Sequence, residues 1–338
     1  MAKRSGALRF KILLGVALVA IVGWSVLWFM AAGIVDRQMK KAELGAQAAG
    51  MIASCNNRSV TGFPFRIEVR CTGGSRVGNG DARTTVGGLT VVAQVYSPNR
   101  VLAEVEGPAE LVLRDMRPVI ADWTLAHASA RLNFGARSLE RLDAEIKQAT
   151  VDVVGGIDFS VGEVDANLRR SPDNPRDLDV ALNLQRVRPI EGGAPADVTF
   201  VGRLGDGAAL IAGQADALLE IIAAQGVPLT IERATFASGD LAVSASGVLT
   251  LGADGKVDGE VDLAIAGHDG ELPYVATMAP QAEATLRTLF KNVLAFAPET
   301  QLGKRTGKKI SLTIRDGRVM AGFVPLATLP SVSLNVPR

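Results

Sequence analysis

Residues 241–267 contain two alternating apolar runs joined by a turn, LAVSASGVLTLGADGKVDGEVDLAIAG. Aliphatic or small residues occupy every second position of both runs, and Asp254-Gly255 lies between them. A period of two is typical of a β-strand with one buried face, and Asp-Gly between two such runs favours a hairpin. This stretch therefore predicts two antiparallel strands that share one aliphatic face.

The same alternation recurs along most of the chain on both sides of this hairpin. Further alternating runs lie at 65–71, 89–95, 126–134, 157–161, 178–184 and 310–323, and Asp316-Gly317 divides the last of them. Two other segments, 210–225 and 281–297, repeat aliphatic residues at helical spacing. Because strands linked by hairpins form antiparallel sheets, we predict an α+β fold, mainly antiparallel β, with large curved sheets and two amphipathic helices.

The N-terminal region predicts a membrane anchor. Residues 12–35 carry no charged side chain, and a helix of this length extends about 36 Å, which exceeds a hydrocarbon core of about 30 Å. We predict a cytoplasmic tail at 1–11, a transmembrane anchor at 12–35 and a helical stalk at 36–54. A β-rich half at 55–190 and a second β-rich half with two helices at 191–338 then follow.

The charges on either side of the anchor indicate its orientation. Four basic residues lie within 1–11, whereas Asp36 and Glu43 dilute the three basic residues that follow the apolar run. Basic residues favour the cytoplasmic side, so the C-terminal body is predicted to be exported. The alternative is a cleaved signal peptide ending near Ala31-Ala32-Gly33, but the apolar run exceeds the usual length of about 7–15 residues for such a segment.

The chain has two cysteines, Cys55 and Cys71. A pair close in sequence within an exported body favours one disulfide, and the alternative is two buried thiols. A metal site is disfavoured because no second cysteine or histidine pair completes four ligands.

Composition and motifs argue against several classes of function. The net charge of +1 gives no electrostatic basis for binding nucleic acid. His127 lies on the polar side of an alternating run and His268 in a glycine-rich turn, and no nucleophile-elbow motif accompanies either histidine. We therefore predict no enzymatic activity, no catalytic residue, no metal and no cofactor.

Several strings together resemble a known family. They are GFPFRIEVRC at 62–71, AQVYSPNRVLAEVEGP at 93–108, Asp122-Trp123 and IRDGRVMAGFVPLATLP at 314–330. With the anchor, they resemble the bacterial domain-of-unknown-function family 2125 (DUF2125). The resemblance implies a single-pass inner-membrane protein of the cell envelope with no assigned activity. Residues 229–267 also resemble the β-sheet modules of AsmA-like envelope proteins, and these modules resemble lipid carriers with an apolar trough.

These observations favour a non-enzymatic periplasmic protein on a membrane anchor. We expect it to bind lipid or another apolar ligand in a β-sheet trough, or to scaffold envelope assembly with partner proteins. The predicted ligand-facing residues are Leu241, Val243, Leu249, Leu251, Val261, Leu263 and Ile265. The alternatives are a structural, partner-binding subunit with a closed core and, less favoured, an exported hydrolase. The sequence leaves open whether helices close the aliphatic face.

Overall fold

The computed structural model describes residues 4–80, 82–114, 116–135, 138–156, 158–190, 192–267 and 294–332. The chain divides into two compact units, Met1–Ala121 (unit 1) and Asp122–Arg338 (unit 2). Both contain antiparallel strands, and this confirms the predicted α+β class with mainly β structure.

Unit 1 begins with one long helix, α1, at Arg4–Ala48. Within it, a segment near the N-terminus is long and apolar enough to cross a membrane. The helix continues without a break through most of the predicted stalk. Its strands are β1 (Ile52–Cys55), β2 (Arg58–Thr61), β3 (Arg66–Cys71), β4 (Ser75–Gly78), β5 (Ala82–Gln94), β6 (Ser97–Leu113) and β7 (Val119–Asp122).

The sheet of unit 1 is organised around the long strand β5. One edge of β5 pairs with β3 and with β4, while the other edge pairs with β6. Outside these, β2 pairs with β3, β1 with β4 and β7 with β6, all antiparallel. Strand β3 is therefore held between β2 and the centre of the sheet.

Unit 2 is an antiparallel meander in which most strands are long and most connections are short. Its strands are β8 (Leu125–Asn133), β9 (Ser138–Val153), β10 (Phe159–Arg170), β11 (Leu178–Pro189), β12 (Ala196–Leu204), β13 (Val227–Ser238), β14 (Leu241–Leu251), β15 (Val257–Ala266), β16 (Glu299–Leu302), β17 (Arg305–Arg315), β18 (Arg318–Ala321) and β19 (Val324–Thr328). From β8 to β15 each strand pairs antiparallel with the next. Strand β17 pairs with β15 on one edge and with β16 and β18 on the other, and β18 pairs with β19.

The predicted hairpins are present in this meander. Gly255 lies in the connection of β14 to β15 with φ +75°, and Asp316 and Gly317 connect β17 to β18 with φ +50° and +75°. Two successive left-handed residues are the geometry of the tight turn that Asp-Gly favours. The predicted division between β-rich halves at 190/191 falls in the connection of β11 to β12, which are hydrogen-bonded neighbours in one sheet.

The predicted helix at 210–225 forms as two helices. Helix α2 spans Ala208–Ile211 and helix α3 spans Ala215–Gln225. Gly213, with φ +72°, interrupts the helical backbone between them, because the left-handed conformation cannot continue a right-handed helix. The second predicted helix, at 281–297, lies mostly outside the described residues, and a 3₁₀ helix at Leu294–Phe296 is described at its end.

Candidate functional site

One face of the unit 2 sheet is aliphatic across nine strands. Strand pairing aligns its side chains in three rows perpendicular to the strands, because directly paired residues point to the same side of a sheet. The first row runs Ala126, Ile146, Val164, Leu184, Val198, Phe236, Val243 and Ile265. The second runs Ala128, Ala144, Ala166, Leu182, Phe200, Ala234, Ala245, Leu263 and Ile310. The third runs Ala130, Leu142, Leu168, Val180, Gly202, Ile231, Gly247, Val261 and Leu312.

Two packed clusters cover the C-terminal strands of this aliphatic face. Leu294, which is 1% exposed, lies in the first cluster with Leu241, Ile265 and Ile310. In the second cluster, Leu218 and Ile222 of α3 pack with Val227, and Leu204 and Leu251 lie against them. Complete burial of this kind is typical of a core.

In the part of the face on strands β9–β12, no row member belongs to or packs against either of the two clusters found among the described residues. Every side chain of the three rows on these strands is half-buried, and Gly202 has none. Neighbours within a sheet cover the flanks of a side chain, so full burial requires a further layer over its outer end. The described residues therefore leave these outer ends accessible. We call this part, defined by the row members on β9–β12, the open aliphatic face.

The structure separates the seven predicted ligand-facing residues into three groups. The strand register places all seven on one face. Leu241, Val243, Leu263 and Ile265 belong to or pack against the Leu294 cluster, and Leu251 packs against the α3 cluster. Leu249 and Val261 are half-buried between the two clusters. A ligand role for these residues stays a prediction, and the part of the face that lies outside both clusters is on earlier strands, among residues that the sequence did not single out as ligand-facing.

The opposite face of the same strands is polar. His127 is exposed, and its Nε2 lies 3.0 Å from Oε2 of Glu145. The strand register continues this line of side chains across the polar face. Asn183 Nδ2 donates to Asp165 Oδ2 at 3.5 Å, and Thr199 Oγ1 donates to Asn183 Oδ1 at 3.2 Å. His127 therefore belongs to a solvated ladder of side chains, in keeping with its predicted place on a polar face. His268 and its predicted turn lie outside the described residues.

Asp179 on β11 forms ion pairs with arginines of both neighbouring strands on this polar face. Arg203 Nε donates to one carboxylate oxygen of Asp179 at 2.8 Å, and Arg169 Nη2 lies 3.1 Å from the other. Burial raises the pKa of Asp179, but the hydrogen bonds and charges of Arg203 and Arg169 outweigh burial and hold the pKa below its ordinary value of 3.8. The carboxylate thus stabilises the pairing of β10, β11 and β12 in its ionised form.

A cluster of three carboxylates also lies on the polar face. Ligand oxygens of Glu145, Glu163 and Asp165 all lie within 4.8 Å of one another. Sequence reasoning missed this cluster because its members belong to two strands and are brought together only by register. A hydrogen bond from Lys147 lowers the pKa of Glu145, and His127 adds to this effect. Lys147 therefore already supplies a cation from within the chain to this cluster.

In unit 1, covalent and ionic contacts bind the first strands to each other and to α1. The predicted disulfide is present between Cys55 and Cys71, with a Cα–Cα distance of 5.1 Å. It links β1 to β3. Arg58 on β2 pairs with Asp36 at 3.0 Å and with Glu43 at 2.8 Å, and the Cys55 amide donates to the same Glu43 carboxylate at 3.2 Å. The C-terminal part of α1 is thus held by two strands.

Comparison with known proteins supplies a family. A family model described as an uncharacterized protein conserved in bacteria (DUF2125) matches residues 28–330. The chain matches no curated protein and no solved structure at a significant level. Since the matched residues include α1 from Trp28 onward and all the described strands of both units, this chain belongs to the DUF2125 family.

Proposed function

We propose that this protein is a non-enzymatic envelope factor, anchored in the inner membrane by α1, whose periplasmic unit 2 holds lipid acyl chains on the open aliphatic face. The observation behind this proposal is that the three rows on β9–β12 are apolar, half-buried and outside both packed clusters of the described residues. Contiguous apolar surface of this kind is typical of a binding site.

The dimensions of the open aliphatic face suit lipid tails lying flat. Neighbouring strands are about 4.8 Å apart, so the four strands β9–β12 extend about 14 Å from first to last. Rows two residues apart along a strand are separated by about 7 Å, which gives a similar extent in the other direction. Acyl chains gain about 0.8 kcal/mol per buried methylene, so about ten methylenes would contribute roughly 8 kcal/mol without any polar contact.

The chemistry of the face selects the class of ligand. Its rows contain only aliphatic residues, glycine and phenylalanine, whereas the polar ladder lies on the opposite side of the strands. A ligand with many hydrogen-bonding groups would lose its water there without compensation. The α1 anchor keeps unit 2 tethered to a bilayer, where acyl chains are abundant. The predicted resemblance to AsmA-like modules favours the same class of ligand.

Other features support a location outside the cytoplasm and a role without catalysis. A disulfide between Cys55 and Cys71 is typical of an oxidising compartment. Within the described residues, both cysteines are bonded and the histidine is engaged by a carboxylate on a solvated face. Neither arrangement is that of a nucleophile beside a general base.

The proposal can be tested by photocrosslinking in cells. Leu182 on the open aliphatic face and Asn183, its neighbour on the polar face, are both half-buried on β11. A benzophenone amino acid would be introduced at either position in cells grown with radiolabelled acetate, which enters acyl chains. We expect radiolabelled protein from position 182 and little from position 183.

The control position makes the result decisive. Equal labelling at both positions would indicate incidental contact with lipid, and no labelling at position 182 would contradict the proposal. Crosslinks from position 182 to a protein instead of lipid would favour a structural subunit that binds a partner through this face.

A further inference from the structure

A short loop of unit 1 lies beside the apolar part of α1. This loop, residues 62–66 with sequence Gly-Phe-Pro-Phe-Arg, is called the FPF loop below. Trp24 Nε1 donates a hydrogen bond to the Pro64 carbonyl oxygen at 2.9 Å, and Trp28 Nε1 donates one to the Arg66 carbonyl oxygen at 2.9 Å. Trp28 is only 5% exposed. The two indole groups therefore fix the position of the FPF loop along the helix axis.

Aromatic contacts and a tight turn add to this attachment. The ring of Phe63 is stacked on Phe29 at a centroid distance of 5.9 Å and meets Trp28 edge-on at 5.6 Å. Gly62 has φ +103°, and a side chain there would meet the Arg66 carbonyl oxygen at 2.7 Å. The turn thus requires glycine, and the loop holds Phe63 against Trp28 and Phe29 of α1.

The position of the tryptophans sets the depth of the loop in a membrane. Asp36 is the first charged residue after the apolar run at 12–35. At 1.5 Å per residue, Trp28 lies about 12 Å and Trp24 about 18 Å before Asp36 along the helix. The run of about 36 Å exceeds a hydrocarbon core of about 30 Å by only about 6 Å. Even with all of this excess on the side of the β-strands, Trp28 lies about 6 Å and Trp24 about 12 Å inside the core.

Exposed aromatic side chains on and next to the FPF loop have the chemistry of a membrane-inserted surface. Phe65 is 66% exposed and Phe63 is 47% exposed. The Val95 amide donates to the Phe65 carbonyl oxygen at 3.0 Å, which brings the β5–β6 hairpin and its 73%-exposed Tyr96 next to the loop. Exposed phenylalanine costs free energy in water but not in lipid, and tyrosine is enriched at the membrane–water boundary.

The polar groups of the loop are compatible with this depth. Backbone carbonyl groups must find donors within the protein when they leave water, and the two indoles provide them for Pro64 and Arg66. The guanidinium of Arg66 pairs with the Glu68 carboxylate at 3.0 Å. Long basic side chains extend to the headgroup region while their stems remain in apolar surroundings.

From this geometry we infer that the FPF loop, with the adjoining tip of the β5–β6 hairpin, inserts into the lipid leaflet on the side of the β-strands. The inference rests on the anchor role of α1 in the proposed function. It assigns a second membrane contact to the protein, whose ligand is the acyl region of that leaflet. Unit 1 is thereby seated on the bilayer instead of standing above it on a free stalk.

Spin-label accessibility in full-length protein tests this inference. The two native cysteines are bonded to each other, so under non-reducing conditions a nitroxide attaches only to an introduced cysteine. The test variant is Phe65→Cys. Leu18→Cys, 63% exposed in the predicted span, reports on lipid, and Val77→Cys, 58% exposed on β4, reports on water. Each variant is reconstituted in vesicles of phosphatidylethanolamine and phosphatidylglycerol.

Collision with oxygen, which concentrates in lipid, is compared with collision with a water-soluble nickel chelate. We expect spin labels at positions 65 and 18 to collide several-fold more often with oxygen than with the nickel chelate. The label at position 77 should collide more often with the chelate. A water-like position 65 beside a lipid-like position 18 would refute the inserted loop while leaving the anchor intact. A water-like position 18 would instead refute the anchor. Low collision of position 65 with both reagents would assign the loop to a protein contact and also refute the inference.

Discussion

Two single variants, Leu294→Ala and Leu182→Ala, should lose different amounts of stability if Leu294 lies in a closed core of unit 2 and Leu182 lies on the open aliphatic face. Leu294 is 1% exposed and lies in the cluster with Leu241, Ile265 and Ile310, so Leu294→Ala removes a fully buried side chain. Such changes cost about 2–5 kcal/mol because they remove buried methylenes and leave a cavity. Leu182 has an accessible outer end, so Leu182→Ala should cost about 1 kcal/mol or less.

These free energies translate into distinct melting temperatures. Domains of this size lose about 2–4 °C per kcal/mol, so Leu294→Ala should lower Tm by roughly 10 °C and Leu182→Ala by at most about 4 °C. The assay is thermal unfolding of delipidated full-length protein in a non-ionic detergent, followed by near-ultraviolet circular dichroism. Equal losses from the two variants would show that the middle of the face is sealed, and the acyl-chain proposal would then fail.

Two further outcomes follow from the disulfide and from the polar face. Cys55 and Cys71 should resist alkylation in intact cells until a reductant is added. Replacing both by serine should lower the free energy of unfolding by about 3 kcal/mol in the chain-entropy model. Free thiols in the mature protein would contradict an exported unit 1. Because the pKa of Asp179 is held below 3.8, its stabilising effect is present above that pH and is lost as pH falls through the lower folded value. Asp179→Asn should therefore flatten the dependence of Tm on pH below about pH 4, whereas Asp173→Asn, at a side chain that is 71% exposed, should flatten it less. Identical slopes in the wild-type protein and both variants would refute this role of Asp179.

The sequence predicted the features that local patterns determine. Alternation of aliphatic and polar residues indicated the strands, and Asp316-Gly317 indicated a turn that the structure contains. The interruption between α2 and α3 was missed because leucine spacing continues across Gly213, and only its left-handed backbone ends the helix. The disulfide was predicted because the cysteines are few and close in sequence.

The candidate site was only partly predictable because it depends on register and on covering elements. The runs at 142–146 and 164–168 also alternate, but alanine at their centres weakens the pattern. Nothing local indicates that Leu241 and Ile265 lie under Leu294, since this contact joins residues far apart in the chain. The attachment of the FPF loop to α1 likewise depends on Trp24, which is 40 positions from its partner Pro64.

The contacts between α1 and the first strands also have a mechanical consequence. Trp24, Trp28 and the Asp36–Arg58 pair join the helix to the loop and strands at three separate heights, so the helix cannot pivot freely against β2 and β3. A hydrophobic stretch longer than the bilayer is thick accommodates the difference by tilting. The sheet of unit 1 must then tilt with it, and a thicker bilayer would bring both upright. With α1 as the proposed membrane anchor, membrane thickness would set the angle between the first β-sheet of this protein and the lipid surface.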